Sequence, residues 1–208
     1  MAITKIDANS FDLTDDYAFT GTITGDTGGS YELLNTVDVT SATANVEFDN
    51  TYITSSYTDY KVMFSRVKPS TDVVKFEMHI QKVGAASYLT GNHHYIFDGR
   101  DAGGSARTST DVNSSKFLIV ATNIGNGVGE TVSGEVVLID PLKSYSSVQN
   151  FTYYGIIQAI KDTGNSTGAH IAGKYATENN IGIDTIKFQM SSGNIASGVF
   201  QLYGRSSS

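Results

Sequence analysis

Residues 57–80 place the strongest constraint on what this chain can fold into. Tyr60, Val62 and Phe64 alternate with Asp59, Lys61 and Ser65, and further on Val74, Phe76, Met78 and Ile80 alternate with Lys75, Glu77, His79 and Gln81. Successive side chains of a strand point to opposite faces, so a two-residue period means a half-buried strand. Between the two runs lies Lys68-Pro69-Ser70-Thr71-Asp72. Pro69 has no amide donor for a ladder, and Ser70 and Asp72 bond readily to nearby backbone, so this segment reads as a turn. The expectation is a hairpin with five turn residues.

The rest of the chain repeats the pattern. From Asn45, Val46 and Phe48 precede the Asp49-Asn50 turn signal, and Tyr88 to Phe97 is a second dense aromatic strand. Asp98 to Ser115 is polar and Gly-rich, and it reads as a long loop of the kind that is functional or mobile. Lys116 to Thr122 is a nearly continuous apolar run, expected in the middle of a sheet. Thr131 to Asp140 alternates, with Gly134 read as a bulge. Phe151 to Lys161 also fits a helical stripe at Ile156, Ile157 and Ile160, but its aromatic and β-branched residues and its central Gly155 favour a strand. Strands follow at Ala169 to Ala176, Ile183 to Met190 and Gly198 to Gly204. Strands at this spacing without an amphipathic helix predict an all-β fold, an antiparallel β-sandwich or jelly roll spanning 45–208. No fixed-period repeat suggests a β-helix or propeller.

Residues 1–44 have a different texture, rich in Thr, Asp, Gly and Ser, with apolar residues spaced apart at Ile3, Ile6, Phe11, Leu13, Tyr17 and Phe19. Two readings stand. One is a leading strand of the same domain; the other is an extended arm whose apolar residues anchor it against another subunit.

Composition narrows the function classes. Charged residues make up 17% of the 208, below the roughly 25% usual for soluble proteins, and Thr, Ser, Gly and Asn fill the polar positions. The net charge of −7 and the lack of a basic run argue against a nucleic-acid partner. Zero Cys removes disulfides, iron–sulfur clusters and thiolate zinc sites. No apolar run approaches 18 residues, so membrane insertion is not expected, and the start Met-Ala-Ile-Thr-Lys lacks the core of a secretory signal. Synthesis in a cytoplasm follows as the expectation.

Few residues point to chemistry. His93 and His94 are neighbours and so face opposite sides of a strand, which does not suit a shared metal. Asp98 and Asp101, among glycines, could offer oxygens to calcium, but their spacing misses the EF-hand pattern and no closing Glu follows. Gly125 to Gly129 lacks a phosphate-loop ending, and no Gly-X-Ser-X-Gly elbow occurs. No enzyme activity, metal or cofactor is expected. The 12 Tyr and absence of Trp bring the aromatics forward, since Tyr shows a ring and a hydroxyl together, as sugars and subunit interfaces require. Tyr88, Asn92, His94, Tyr95 and Tyr153 are the candidate ligand-binding residues.

The run Phe48-Asp49-Asn50-Thr51-Tyr52-Ile53-Thr54-Ser55-Ser56-Tyr57-Thr58-Asp59-Tyr60-Lys61-Val62 and the ending Ser197-Gly198-Val199-Phe200-Gln201-Leu202-Tyr203-Gly204 resemble a β-sandwich domain in virion proteins of tailed bacteriophages, especially marine ones. The opening Ile3-Thr4-Lys5-Ile6-Asp7-Ala8-Asn9-Ser10 is similar to the start of phage tail-fibre and related structural proteins. The resemblance implies a non-enzymatic virion structural protein that forms a homo-oligomer, expected to be a trimer, with other virion proteins as partners. In a tail-fibre role the arm docks to the particle while residues 98–115 and 162–168 touch host surface glycan for receptor binding. The alternative is capsid decoration, a cement across the head.

Overall fold

The computed structural model describes residues 30–143, 151–176 and 182–206. Among these residues every element is a strand, and all pairings are antiparallel. An eight-stranded sheet has the order β1 (Tyr31–Val39), β12 (Ile195–Arg205), β3 (Asp59–Pro69), β8 (Val132–Ile139), β9 (Thr152–Ile160), β10 (Ser166–Tyr175), β5 (His93–Asp101) and β6 (Ala106–Ser114). A four-stranded sheet has the order β2 (Asn45–Phe48), β11 (Ile183–Met190), β4 (Val74–Lys82) and β7 (Phe117–Ile124). The two pack face to face as an antiparallel β-sandwich, as the alternation predicts. The eight-to-four division differs from the eight-strand, two-Greek-key pattern of a jelly roll.

The segment 57–80 contains two strands but not a hairpin. β3 pairs with β12 and β8 in the larger sheet, whereas β4 pairs with β11 and β7 in the smaller one. Alternation reports that one face is buried and does not identify the hydrogen-bonded neighbour. Residues 70–73 instead arch from one sheet to the other. Val73 adopts a left-handed φ of 59°, and its amide donates to Asp72 Oδ1 at 3.0 Å. In a hairpin Phe64 and Phe76 would sit side by side on one surface. In the arch they meet across the interior, edge to face, with centroids 5.4 Å apart.

A second arch, from β11 to β12, lies against the first. Ser70 N donates to Asn194 O at 2.8 Å, and Asn194 N donates to Ser70 Oγ at 2.9 Å. Phe188 and Phe200 on this second arch complete a four-ring cluster with Phe64 and Phe76, two rings from each sheet. Gly193, at φ +70°, sits where an added Cβ would lie 2.0 Å from Thr71 Oγ1, so the two arches touch too closely for a side chain there.

Three more expectations are corrected. Asp59 is buried, not solvated: Arg205, its partner in the β3–β12 register, forms an ion pair with it, and Asp140 N donates to it at 3.2 Å. The apolar run of β7 lies at the edge of the smaller sheet, buried because the larger sheet covers it. Gly134 keeps regular register with β9 and pairs with Phe64 at the border of the bulge, whose extra residue lies in β3 between Phe64 and Val67. Residues 31–39 of the N-terminal region are the edge strand β1, paired along β12. Ile3, Ile6, Phe11, Leu13, Tyr17 and Phe19 lie outside the described residues.

A second aromatic group fills the other half of the interior. His93 packs edge-on against Phe117 at 4.6 Å and Tyr175 at 5.1 Å. Its Nδ1 faces the carbonyls of Gly91 at 2.8 Å and Ser114 at 3.0 Å, while Nε2 has no partner. Burial pulls the His93 pKa from 6.5 to about 4, against the upward pull of the two carbonyls. The residue is therefore a neutral core side chain at physiological pH.

Two predictions follow from this interior. Phe76→Ala should destabilise the fold by about 3–5 kcal/mol through lost burial and a residual cavity, read as a fall in the urea midpoint. For His93, the unfolded state takes up a proton below pH 6.5 while the folded state resists until about pH 4. Stability present at pH 7 is thus lost as the pH falls, by about 2 kcal/mol on reaching pH 5. His93→Gln, which cannot charge, should remove that part of the slope in urea titrations at the two pH values.

Candidate functional site

Three of the five candidate ligand-binding residues, His94, Tyr95 and Tyr153, line one pocket of about 580 Å³, while Tyr88 and Asn92 lie apart from it. Tyr88 lies over the outer face of the smaller sheet, where Lys187 Nζ sits 3.8 Å from its ring centroid and its hydroxyl bonds Glu47. Asn92 is an exposed left-handed turn residue whose amide donates to Asn113 Oδ1 at 2.9 Å. His94 is half-buried on the outer face of the larger sheet, while Tyr95 and Tyr153 point inward and are buried. The Tyr153 hydroxyl has no partner, and burial drives its pKa far upward. Strand alternation turns the side chains of His94 and Tyr95 to opposite faces of the sheet.

The segment 98–115 is not a loop. β5 continues to Asp101 and β6 begins at Ala106, so only residues 102–105 turn. β6 reads as loop because it carries almost no apolar residues; it is an exposed edge strand whose ladder bonds all go to β5. Likewise 166–168 belong to β10.

The tips of the β5–β6 and β9–β10 hairpins nonetheless come together. Asp101, buried at the end of β5, accepts a hydrogen bond from Thr167 Oγ1 at 2.6 Å through Oδ1. Its Oδ2 takes Arg107 Nε at 2.6 Å, a second guanidinium nitrogen, and Lys161 Nζ at 3.4 Å. Bonds from Arg107 and Thr167, with the charge of Lys161, hold its carboxyl far below the usual range against the opposing effect of burial. Asp98, three residues earlier, is on the opposite, solvated face, so the two carboxylates share no site. Among the described residues no group of three or more His, Asp and Glu side chains gathers as a metal site.

Arg107 and Lys161, fixed by Asp101, form part of the wall of a cleft of about 580 Å³. It opens where the edge strands β6 and β7 diverge from their tight connection at Ser115-Lys116. Thr108 flanks Arg107 on the β6 side, Thr122 and Asn123 form the β7 side, Lys75 comes from β4, and Asp162 and Thr163 close the end. The lining is mostly polar, and Thr122 Oγ1 is shielded from solvent without a hydrogen-bond partner. Such walls suit a small hydroxylated or anionic ligand. Sequence reasoning missed these residues because Lys75, Arg107, Thr122 and Lys161 form no motif along the chain. Their one hint is that Arg107 interrupts a Thr- and Ser-rich segment.

A second feature is the outer face of the larger sheet. Tyr154, Ile156 and Ile96 are each more than half exposed there, at 51%, 56% and 53%, with Ile139 on the adjacent strand β8 and Met63 one strand further on β3. These apolar positions are interrupted by Glu135 between Met63 and Ile156 and by His170 opposite Ile156.

Asp101→Asn should loosen the cleft wall and destabilise the protein. The depressed pKa makes the carboxylate's contribution complete above its ordinary value of 3.8 and lost as the pH falls toward its folded value. Urea midpoints of wild type and variant should therefore differ at pH 7, and the difference should narrow without vanishing as the pH falls from 3.8 to about 2.5. No protein-family model, curated protein or solved structure matches this chain.

Proposed function

We propose that this protein is a non-enzymatic structural component of a tailed-phage particle, acting as a tail-fibre-type attachment module that contacts host surface glycan. The observation that carries the reading is the polar cleft at the hairpin tips, because it joins residues 106–108 and 161–163 in one accessible recess. Recognition needs such a recess to be weak but repeated: linked copies raise avidity by roughly 10² to 10⁴ without new contacts. The phage resemblance of residues 48–62, 197–204 and 3–10 supplies the particle context.

In this reading copies of the chain associate as a homotrimer and meet other virion proteins through the N-terminal region. Ile3, Ile6, Phe11, Leu13, Tyr17 and Phe19 serve as anchors, and the assembled protein resides in the virion. The exposed apolar face around Tyr154 and Ile156 supports a buried role in an assembly. It also favours the second reading, a capsid-decoration protein that lies across the head with this face down.

Copy number separates the two. Quantitative mass spectrometry of purified particles should find a few dozen copies for an attachment role. Several hundred would replace it with the cement role, and absence from particles would refute both.

A further inference from the structure

We propose that the cleft between the diverging edges of β6 and β7 binds an acidic sugar unit, such as a hexuronate residue of a polysaccharide, through its carboxylate and its hydroxyls. This names the ligand class of the attachment site and rests on the attachment reading only for its biological role.

The cation arrangement sets the charge preference. Lys75, Arg107 and Lys161 line the cleft, with Asp162 among them and Asp101 behind Arg107 and Lys161. Three cations against two carboxylates leave one positive charge in a protein whose net charge is −7. A monoanion matches that balance, whereas a dianionic phosphate exceeds it. Asp101 uses two of the five guanidinium donors of Arg107 and one of the three ammonium donors of Lys161, so both retain donors for a ligand. Among the described residues Lys75 takes part in no ion pair.

The hydroxyl preference comes from the other walls. Thr108 and Thr163 and the amide of Asn123 both donate and accept, as sugar hydroxyls do. Asp162 accepts from sugar hydroxyls that a simple inorganic anion lacks. Preorganisation matters as well: the Arg107 fork is already fixed on Asp101, so little side-chain freedom is lost on binding.

The test is isothermal titration of the full chain with D-glucuronate, D-glucose, sodium acetate and sodium sulfate. Saturable, millimolar binding of glucuronate is expected, with glucose and acetate each at least about tenfold weaker, the loss of one charge-assisted hydrogen bond or more. Lys75→Gln should weaken glucuronate by a similar factor. Asn123→Asp, an exposed and near-isosteric change that adds a repelling charge, should weaken glucuronate more than glucose, with an unchanged melting midpoint. Equal affinity for glucose, sulfate or acetate as tight as glucuronate, indifference to both substitutions, or no glucuronate binding would each overturn the proposal. Glucuronate binding by a protein absent from particles would sink the attachment reading alone, and particle incorporation without such binding would sink this proposal alone.

Discussion

The contact of four phenylalanines across the interior is the interaction on which the rest of the sandwich depends. Phe64 and Phe200 come from the larger sheet, Phe76 and Phe188 from the smaller, and all ring centroids lie within 6.3 Å of one another. Two arches supply them, and the Ser70–Asn194 backbone and side-chain bonds hold the arches side by side. Burial of four large rings at one place fixes both the separation of the sheets and the register of the strands that carry them. Aromatic pairs of this kind add stabilisation beyond their buried area, through offset and edge-to-face geometry.

From that anchor the consequences run outward along the sheets. At one side β12 continues past the cluster to pair with β1 and to bring Arg205 onto Asp59. At the other, His93, Phe117, Tyr153 and Tyr175 keep the sheets joined near the β6–β7 corner. Beyond that corner the two edge strands separate, and the interior gives way to a recess lined by polar groups. The eight-stranded sheet is wider than the four-stranded sheet that covers it, so the rim of the sandwich has no apolar partner to close it.

The two surface features follow from the same geometry. The cleft owes its character to one buried carboxylate that gathers Arg107, Lys161 and Thr167 from three different strand ends and turns. The outer face of the larger sheet owes its character to alternation: outward positions on β9 and β5 carry Tyr154, Ile156 and Ile96 where a solvated sheet would carry polar residues. In the proposed attachment reading the recess would recognise and the apolar face would assemble, and the two lie apart on the molecule.

Much of the fold was legible along the chain. The two-residue period of β3, β4, β9 and β11 marked strands and their buried residues, because facing is a local property of extended backbone. The partners of those strands were not legible, since a hairpin and an arch bury the same residues and differ only in what lies across from them. β6 was missed because a polar edge strand owes its existence to the ladder it joins rather than to its own pattern. The candidate site was less legible still: Tyr95 and Tyr153 are buried in the core and also line one pocket with His94, whereas Tyr88 and Asn92 lie elsewhere. By itself, then, the sequence determined an antiparallel all-β protein with identifiable inward faces, as side-chain alternation requires. Only the tertiary structure decided that Lys75, Arg107, Thr122 and Lys161 share one cleft, because long-range strand pairing and inter-sheet packing join positions that no local rule connects.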